Sequence, residues 1–284
     1  MREKALNDSK RWFLALVVVA LVSSTAAQAK RYMTSDFRTT ETRPATVGIL
    51  PPHAEFIKKK VLVSHALVEE AAVLERWACS SIAEMLEAKG YDVKIITADE
   101  INGDPELKES VRRINERYDE EWRKIIRKPK KVRARRYHAG EEIRKAALHL
   151  GVDGIVIPRI QAVGATKGQK AMAYIFGGSL GYTRLDLSVV DGKTGSVEAY
   201  FIGVIESGFT NLTNKPGKMM MKVTKAALKK YPRSGEVLRP KGPAREARDE
   251  DEDETETVVL GDLEALLGSD TLEQEQSEDG GSER

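Results

Sequence analysis

The sequence predicts a single α/β domain with a mixed sheet, in which the elements follow the order β-α-β-α-α-β-β-β-α. Three observations carry this prediction. Apolar residues recur every three or four positions in four segments, which is typical of amphipathic helices. Short apolar runs bounded by turn residues lie between these segments, which is typical of strands. Beyond residue 233 both patterns end and the chain becomes acidic, which predicts a disordered C-terminal tail.

The charge of the chain is unevenly distributed. Its 284 residues include 46 Lys and Arg against 44 Asp and Glu, which gives a formal net charge of +2. Residues 249–284 contain fifteen acids and one base, a net charge of −14, so residues 1–248 carry a net charge of +16. The tail and the domain therefore differ in the partners that they attract.

The composition excludes several classes of protein. A hydrophobic fraction of 41% is sufficient for one medium core or two small ones, and it excludes a wholly disordered chain, a collagen and a polytopic membrane protein. The one cysteine, Cys79, excludes a disulfide scaffold, a CxxC-type zinc site and an iron–sulfur protein.

The N-terminus predicts export. A basic segment, the eleven uncharged residues 12–22 and a small-residue segment that ends in Ala-Gln-Ala form a signal peptide over residues 1–29, with cleavage after Ala29. An uncleaved anchor is the alternative, but eleven helical residues rise only about 16 Å, against the roughly 20 residues that a bilayer requires. With no lipobox cysteine near Ala29, we expect a periplasmic or extracellular protein. Ordinary secretion and the twin-arginine route stay open, because Lys10-Arg11 resembles the twin-arginine pair.

The first half of the domain predicts two neighbouring strands joined by a helix. Before it, residues 30–45 are polar and aperiodic, which predicts a flexible leader that contacts a partner or trails free. The domain is predicted to cover residues 46–232. Pro51 and Pro52 end the first strand, because proline cannot donate to the next bond of the ladder. The predicted elements are a strand over 46–50, a helix over 66–89 and a strand over 91–96.

The second half predicts two helices, three strands and a final helix. Pro129 and Pro232 end two of these helices, and Gly151 caps the third. A five-residue loop with two glycines, residues 191–195, indicates a hairpin. The predicted elements are helices over 105–128, 137–150 and 216–231, and strands over 154–158, 184–190 and 197–205.

The acidic tail, residues 233–284, contains one apolar segment over residues 257–268. Two interpretations stay open: a solubilising tail with chance apolarity, or a short motif that docks in the groove of a partner. An isolated helix of this length is marginal in water, so the motif would be ordered only against a surface. The residues predicted to dock are Val258, Val259, Leu260, Leu263, Leu266 and Leu267.

A glycine-flanked apolar loop between residues 164 and 181 is a second candidate contact for a partner. Tyr174 and Phe176 would form this contact, and packing of the loop over the sheet edge is the alternative. Residues 176–181 resemble part of a dinucleotide-binding GxGxxG loop. They lead into a strand, however, and do not open a helix, so the context of such a loop is missing.

A basic cluster is the strongest local charge signal: residues 123–136 contain nine bases and no acid. In a nucleic-acid-binding protein this would predict phosphate contacts. Predicted export makes anionic lipids, cell-wall polymers or an acidic protein surface the expected partners instead. Masking by the acidic tail and a merely solvated helix end are the alternatives. The nine residues are Arg123, Lys124, Arg127, Lys128, Lys130, Lys131, Arg133, Arg135 and Arg136.

Motifs for catalysis are missing from the sequence. Cys79 lies within a helix on a face predicted to be buried, where a thiol behaves as a small hydrophobe. Ser80 and Ser81 do not stand in a GxSxG turn. The histidines show no ligand spacing, so we expect no catalytic residue, no metal and no cofactor. The four histidines are His53, His65, His138 and His149.

Three short motifs resemble those of a known group of envelope domains. They are the opening strand over 47–52, the turn over 151–155 and the hairpin over 187–195. With these, residues 46–230 resemble the TolB N-terminal and CsgG-like group, including the GNA1162-type lipoproteins. The resemblance implies an extracytoplasmic α/β domain that binds other envelope components as an accessory to secretion or envelope assembly. The acylated cysteine of many such proteins is missing here.

The sequence thus predicts a non-enzymatic, secreted or periplasmic binding or accessory protein of the bacterial cell envelope. Its expected partners are envelope proteins at the apolar loop or the tail motif, and anionic lipid or cell-wall polymer at the basic cluster. Two alternatives remain: an enzyme whose site carries no recognisable motif, and an extracytoplasmic module that binds nucleic acid or another anionic polymer.

Overall fold

The structure is a computed structural model that describes residues 28–39, 43–59, 64–165, 181–206 and 209–238. These residues form eight strands, seven α-helices and one 3-10 helix. The strands are β1 (Gln28–Met33), β2 (Thr46–Ile49), β3 (His53–Lys59), β4 (Ser64–Ala66), β5 (Asp92–Ile95), β6 (Gly154–Ala165), β7 (Gly181–Asp191) and β8 (Val197–Glu206). The helices are α1 (Ser35–Thr39), α2 (Val68–Glu87), α3 (Ala98–Gly103), α4 (Pro105–Arg127), the 3-10 helix η1 (Pro129–Ala134), α5 (Glu142–Leu150), α6 (Phe209–Asn214) and α7 (Pro216–Leu228).

The strands form one mixed sheet with the order β1-β8-β7-β6-β2-β5. β1, β8, β7 and β6 are antiparallel to their neighbours, whereas β6, β2 and β5 run parallel. The parallel pair β2 and β5 is connected through α2, as parallel strands require a crossover. β3 also runs parallel to β6, and β4 pairs with β3 as a short antiparallel strand.

β2 and β3 lie one after the other along the same side of β6. β2 pairs with residues 154–156 and β3 with residues 159–165. Pro51 and Pro52 occupy the break between the two strands, where no ladder bond is required of them. Pro158 lies in β6 opposite this break, where the ladder is already interrupted, so β6 continues through it to Ala165. The sequence prediction, which ended this strand at Pro158, was wrong on that point.

Helices cover both faces of the sheet and create two apolar cores. α2 and α7 pack on one face, and α4, α5 and η1 pack on the other. The alternation of β7 separates the cores, because Leu185 and Leu187 face α7 while Asp186 and Ser188 face α4. None of the helices among the described residues is long and apolar enough to cross a membrane.

Two glycines allow close approaches that a side chain would prevent. A Cβ at Gly203 in β8 would lie 2.5 Å from the carbonyl oxygen of Val223 and 2.6 Å from the nitrogen of Ala227, both in α7. Gly195, in the loop between β7 and β8, has a φ of +72° and would place a Cβ 2.5 Å from the oxygen of Gly140. The first glycine sets the distance between helix and sheet, and the second closes the hairpin.

The predicted α/β class with a mixed sheet is confirmed. The nine predicted elements are present in the predicted order, and the loop over 191–195 joins antiparallel β7 and β8. The strand over 91–96 pairs beside the first strand as β5. Seven elements are additional to these: β1, α1, β3, β4, α3, η1 and α6. β3 alternates Ala54 and Phe56 with polar residues, a strand signal that the two prolines before it obscured.

The prediction of a flexible leader is wrong for residues 30–39. These residues belong to β1, which pairs with β8, and to α1. Tyr32, Met33 and Phe37 are buried, with Phe37 fully so. The sequence of this segment is mostly polar because it has few apolar residues, but Tyr32, Met33 and Phe37 are each buried in a core. Cleavage after Ala29 would leave residues 30–33 of β1 in the mature chain.

The described fold ends at Leu238. Contacts divide the chain into units 1–238 and 239–284, and every described residue belongs to the first unit. The guanidinium of Arg43 donates to the carbonyl oxygens of Arg233 and Glu236 at 2.9 and 2.6 Å. The hydroxyl of Tyr91 donates to the carbonyl oxygen of Pro232 at 3.2 Å. These bonds attach the last segment after α7 to the domain.

Candidate functional site

The structure places all nine residues of the predicted basic cluster at the end of α4, in η1 and in the turn after it. We call these nine residues the basic surface. Eight of them are exposed, and Lys131 is half-buried. The members of the basic surface are Arg123, Lys124, Arg127, Lys128, Lys130, Lys131, Arg133, Arg135 and Arg136.

The basic surface is anchored to the second core by buried residues of α4 and η1. Trp122 and Ile125, on the inner side of the last turns of α4, are buried in the second core, and Val132 of η1 is fully buried there. Tyr137 donates from its hydroxyl to the carbonyl oxygens of Lys124 and Lys128, at 3.1 and 2.8 Å. Both carbonyl oxygens also accept backbone hydrogen bonds, from the N–H groups of Lys128 and Lys131, so the tyrosine hydroxyl adds a further contact at the end of α4. Burial raises the pKa of Tyr137, which keeps the donor protonated.

Arg135 differs from the rest of the basic surface, because its guanidinium contacts two carboxylates. It forms an ion pair with Asp36 of α1, and its Nε lies 3.3 Å from Oε1 of Glu198 in β8. The Glu198 side chain is 3% exposed, and its Oε2 also accepts a hydrogen bond of 2.6 Å from Thr34. Arg135 has a φ of +51°, which is rare for a residue with a side chain.

The charges of this cluster favour the ion pair. Burial lowers the pKa of Arg135, but the attraction of Glu198 and Asp36 outweighs burial and raises it overall. A hydrogen bond from Ser35 and the charge of Arg135 lower the pKa of Asp36. The charge of Arg135 is therefore compensated inside the protein by the carboxylates of Asp36 and Glu198.

A second member of the basic surface also has an internal partner. Nζ of Lys124 lies 2.8 Å from Oε1 of Glu121, whose side chain is 9% exposed. By contrast, Arg123, Lys130 and Arg133 are exposed and form no ion pair with an acid of the described residues. Lys124 and Arg135, two of the nine predicted binding residues, are thus paired within the protein.

A buried polar network joins α4 to the sheet beneath it. The hydroxyl of Tyr118 donates to Oγ of Ser188 at 2.5 Å, and Nε1 of Trp122 donates to Oδ2 of Asp186 at 3.2 Å. Nε of Arg184 donates to the other oxygen of Asp186 at 2.9 Å. Because each of these donors has an acceptor, the network holds α4 in register with β7.

The ionisation states of this network are fixed by burial. Burial raises the pKa of Tyr118 and of Tyr200, so both hydroxyls stay protonated. For Arg184, burial lowers the pKa, but the charges and hydrogen bonds of Asp186 and Tyr200 together raise it by more, and the guanidinium stays charged. The network holds its protons over the physiological pH range.

A polar cluster that the sequence does not reveal lies beside this network. Across the strands, Arg159 stands between His53 and Asp186, and Gln161 stands between Glu55 and Arg184. Strand pairing alone brings these six side chains to one face, and register cannot be read from the sequence.

Two atoms of this cluster lack hydrogen bonds. Arg159 and Gln161 are 4% and 6% exposed, and Nε of Arg159 and Oε1 of Gln161 have no partner among the described residues. The guanidinium of Arg159 forms an ion pair with Asp119 and lies over the Tyr118 ring, 5.5 Å from its centre.

The remaining candidate residues do not converge. Nε2 of His149 lies 2.7 Å from Oδ2 of Asp104, and His138 contacts Ser196. No three His, Cys, Asp or Glu side chains of the described part of the chain are grouped to hold a metal ion. Burial, and then the charge of Glu75, raise the pKa of Cys79 to about 11. Its thiol is therefore protonated at neutral pH.

Two sets of predicted binding residues lie outside the described residues. The first is the pair Tyr174 and Phe176 of the loop after β6. The second is the apolar motif of the tail, which consists of Val258, Val259, Leu260, Leu263, Leu266 and Leu267. The side chain of His65 is likewise outside the described ones.

Comparison with known proteins gives similarities of structure only. No family model matches the sequence, and no curated protein matches it at a significant level. The structure is similar to PelC from Paraburkholderia phytofirmans, solved as a dodecamer, with 11% identity over 71% of this chain and 97% of PelC, at a TM-score of 0.33. A structure of a PelC variant gives 10% identity over 71% and 99% of the two chains, at a TM-score of 0.31.

Lipoprotein GNA1162 from Neisseria meningitidis is also similar. The identity is 14% over 59% of this chain and 84% of the lipoprotein, and the TM-score is 0.28. It is one of the lipoprotein type that the sequence resembles, and the similarity is one of fold alone.

Proposed function

We propose that the protein is an exported, non-enzymatic binding module of the bacterial cell envelope, and that its basic surface binds the phosphate groups of anionic phospholipids. The observation that carries this proposal is the exposure of a dense set of bases on a firmly anchored helix end. Arg123, Lys130 and Arg133 represent the set: each is exposed and none pairs with a described acid. The predicted signal peptide supports export.

The size of the electrostatic attraction supports a weak and reversible contact. A Lys or Arg near an anionic membrane surface contributes about 1 kcal/mol. Five such residues would contribute about 5 kcal/mol, which corresponds to a dissociation constant of about 0.2 mM. Such a contact suits an accessory protein that a second partner helps to localise.

The chemistry of the side chains also favours phosphate. The guanidinium groups of Arg123, Arg133 and Arg136 can each donate two parallel hydrogen bonds to one phosphate group. Lys128 and Lys130 supply compact charges between them. The exposed position of the set suits a planar membrane surface better than a small ligand, which requires a pocket.

The buried carboxylates support a binding role rather than a catalytic one. Asp186 accepts from Trp122 and Arg184, and Glu198 accepts from Thr34 and pairs with Arg135. General acid–base catalysis requires a carboxyl group that exchanges its proton with a substrate. Both carboxylates are engaged by groups of the fold itself, which favours a structural role for them.

Vesicle co-sedimentation tests the proposal. The mature chain is expected to sediment with phosphatidylglycerol vesicles and not with phosphatidylcholine vesicles. The triple variant Lys130→Gln, Arg133→Gln and Arg136→Gln should remain in the supernatant. The matched control replaces Lys218, Lys222 and Lys225 of α7 by Gln, since these exposed bases lie on the opposite layer of the fold.

Two outcomes would contradict the proposal. Stronger retention on double-stranded DNA than on vesicles at equal ionic strength would support a nucleic-acid module and overturn the lipid proposal. Equal binding to phosphatidylglycerol by both triple variants would show that the basic surface is not the contact.

Protein partners are a second part of this proposal. We infer that the apolar loop or the tail motif contacts an envelope protein, in line with the apolar residues at both places. A cross-linked pull-down from the envelope, with and without residues 249–284, tests this. A defined envelope protein lost with the tail would support docking through residues 258–267, whereas no specific capture in either form would contradict it.

A further inference from the structure

We propose that Arg135 is a positioning residue of the basic surface, held by Asp36 and Glu198, and that it does not contact the anionic ligand itself. This inference rests on the proposed function. It implies that the N-terminal segment, β1 and α1, determines how the basic surface is presented. The sequence alone makes Arg135 one base among nine.

The charges around Arg135 disfavour direct contact with an anionic ligand. Two carboxylates face the single guanidinium of Arg135, and Glu198 is almost fully buried beneath it. A ligand phosphate that approached Arg135 would therefore meet two negative charges at the same place. The other members of the basic surface are better placed to receive it.

The backbone of Arg135 adopts an unusual conformation. Among the described residues, Arg135 is the only one other than glycine with a positive φ. Its N–H donates back to the carbonyl oxygen of Val132, which closes η1 as a left-handed cap. The conformation is unfavourable for a residue with a Cβ, and a contact of the side chain helps these backbone bonds to maintain it. The ion pair with Asp36 and Glu198 is that contact.

These contacts fix the turn that carries three of the exposed bases. Val132 in the core and Arg135 in the ion pair fix the turn at two points three residues apart. Lys130 lies before Val132, Arg133 lies between the two fixed residues, and Arg136 directly follows Arg135. Fixing the turn in this way orders three exposed bases before a ligand arrives, which lowers the entropy lost on binding.

The two carboxylates come from different segments of the chain. Asp36 stands in α1 and Glu198 in β8, and Thr34 between β1 and α1 donates to Glu198. The ion pair thus connects the N-terminal segment with a turn about one hundred positions later in the chain.

Asp36→Asn and Glu198→Gln test the inference, because electrostatics and positioning predict opposite signs. Each change removes a negative charge near the basic surface, so attraction alone predicts tighter binding to phosphatidylglycerol vesicles. Loss of positioning predicts about two- to tenfold weaker binding. Glu120→Gln is the matched control: Glu120 is exposed on α4 near Arg123 and contacts none of the three residues, so its loss should leave binding equal or tighter.

A second measurement does not depend on a ligand. Hydrogen exchange at the amide of Arg135 should be faster in Asp36→Asn than in Glu120→Gln, at equal melting temperature. If Glu198→Gln lowers the melting temperature, the more exposed Asp36→Asn variant carries the test. Binding of Asp36→Asn as tight as that of Glu120→Gln, or unchanged exchange, would overturn the inference.

The two proposals can fail separately. If the mature chain does not bind the vesicles but exchange at Arg135 rises in Asp36→Asn, the proposed lipid contact is wrong and the positioning of the turn holds. If the variant of Lys130, Arg133 and Arg136 loses binding while Asp36→Asn does not, the lipid contact holds and the role of Arg135 is wrong.

Discussion

Nε1 of Trp122 donates a hydrogen bond of 3.2 Å to Oδ2 of the buried Asp186, and this contact joins α4 to β7. Trp122→Phe keeps most of the ring but leaves one side of the carboxylate without its donor. A lost hydrogen bond to a charged group predicts a decrease of about 1.5–3 kcal/mol in the free energy of unfolding. Urea denaturation measures it.

Trp77→Phe is the control for this change. Trp77 lies on α2 and is 47% exposed, and its indole nitrogen forms no hydrogen bond with a described residue. We expect a decrease below about 1 kcal/mol. Equal losses in the two variants would contradict the importance of the bond to Asp186.

Phe37→Ala tests whether the N-terminal segment belongs to the fold. Phe37 is fully buried and contacts Tyr231 edge to face, with 5.9 Å between the ring centres. Truncation of a buried phenylalanine predicts a loss of about 3–5 kcal/mol. Ser35→Ala, at an exposed position of the same helix, is the control. An unchanged urea midpoint for Phe37→Ala would restore the flexible leader that the sequence predicts.

Gly203→Ala tests the close approach of β8 to α7. The added Cβ would meet the backbone of Val223 and Ala227 at about 2.5 Å, where neither atom can move aside. Overpacking of this kind predicts a loss of about 1–3 kcal/mol or more. Gly103→Ala, where a Cβ has no neighbour within 4 Å, should leave the melting temperature unchanged or higher.

Cys79 provides a prediction of pH dependence. Its pKa is raised from 9.0 to about 11 by burial and by Glu75, so the folded state binds this proton more tightly than the unfolded state. The resulting stability is complete below pH 9 and is lost as the pH rises from 9 toward 11. At pH 9 the native thiol should be about 1% ionised, and alkylation by iodoacetamide should be far slower than in urea. Equal rates would contradict the burial of the thiol.

Removal of residues 249–284 should leave the melting temperature nearly unchanged. The described fold ends at Leu238, where bonds from Arg43 and Tyr91 attach the last segment. Differential scanning calorimetry of the two forms makes the comparison. A large decrease would mean that the tail takes part in folding.

The fold class could be predicted because periodicity and turn residues are local. The stripe of α4, the cap at Gly151 and the hairpin over 191–195 each lie within a few consecutive residues, and each was placed correctly. β1 and α1 could not be predicted, because their few apolar residues become buried only through pairing with β8. The course of β6 through Pro158 likewise depends on the break between β2 and β3.

The candidate site could be predicted in composition but not in geometry. Nine bases in fourteen residues indicate a basic cluster wherever they fold. Helix spacing could have suggested the partner of Lys124, because Glu121 is its helical neighbour at i−3. The partners of Arg135 could not be predicted in this way, because Asp36 and Glu198 come from distant segments. The polar cluster around Arg159 and Gln161 could not be predicted for the same reason, because strand register brings its side chains together.

Salt dependence of binding to phosphatidylglycerol vesicles tests the central claim most directly. The association constant is measured against sodium chloride concentration for the mature chain and for the two triple variants. The variant of Lys218, Lys222 and Lys225 should match the mature chain in affinity and in slope. The variant of Lys130, Arg133 and Arg136 should bind about 10- to 150-fold more weakly and with a shallower slope, because it lacks three phosphate contacts. Identical affinities and slopes for the two variants would contradict the claim that the basic surface is the site of anion binding.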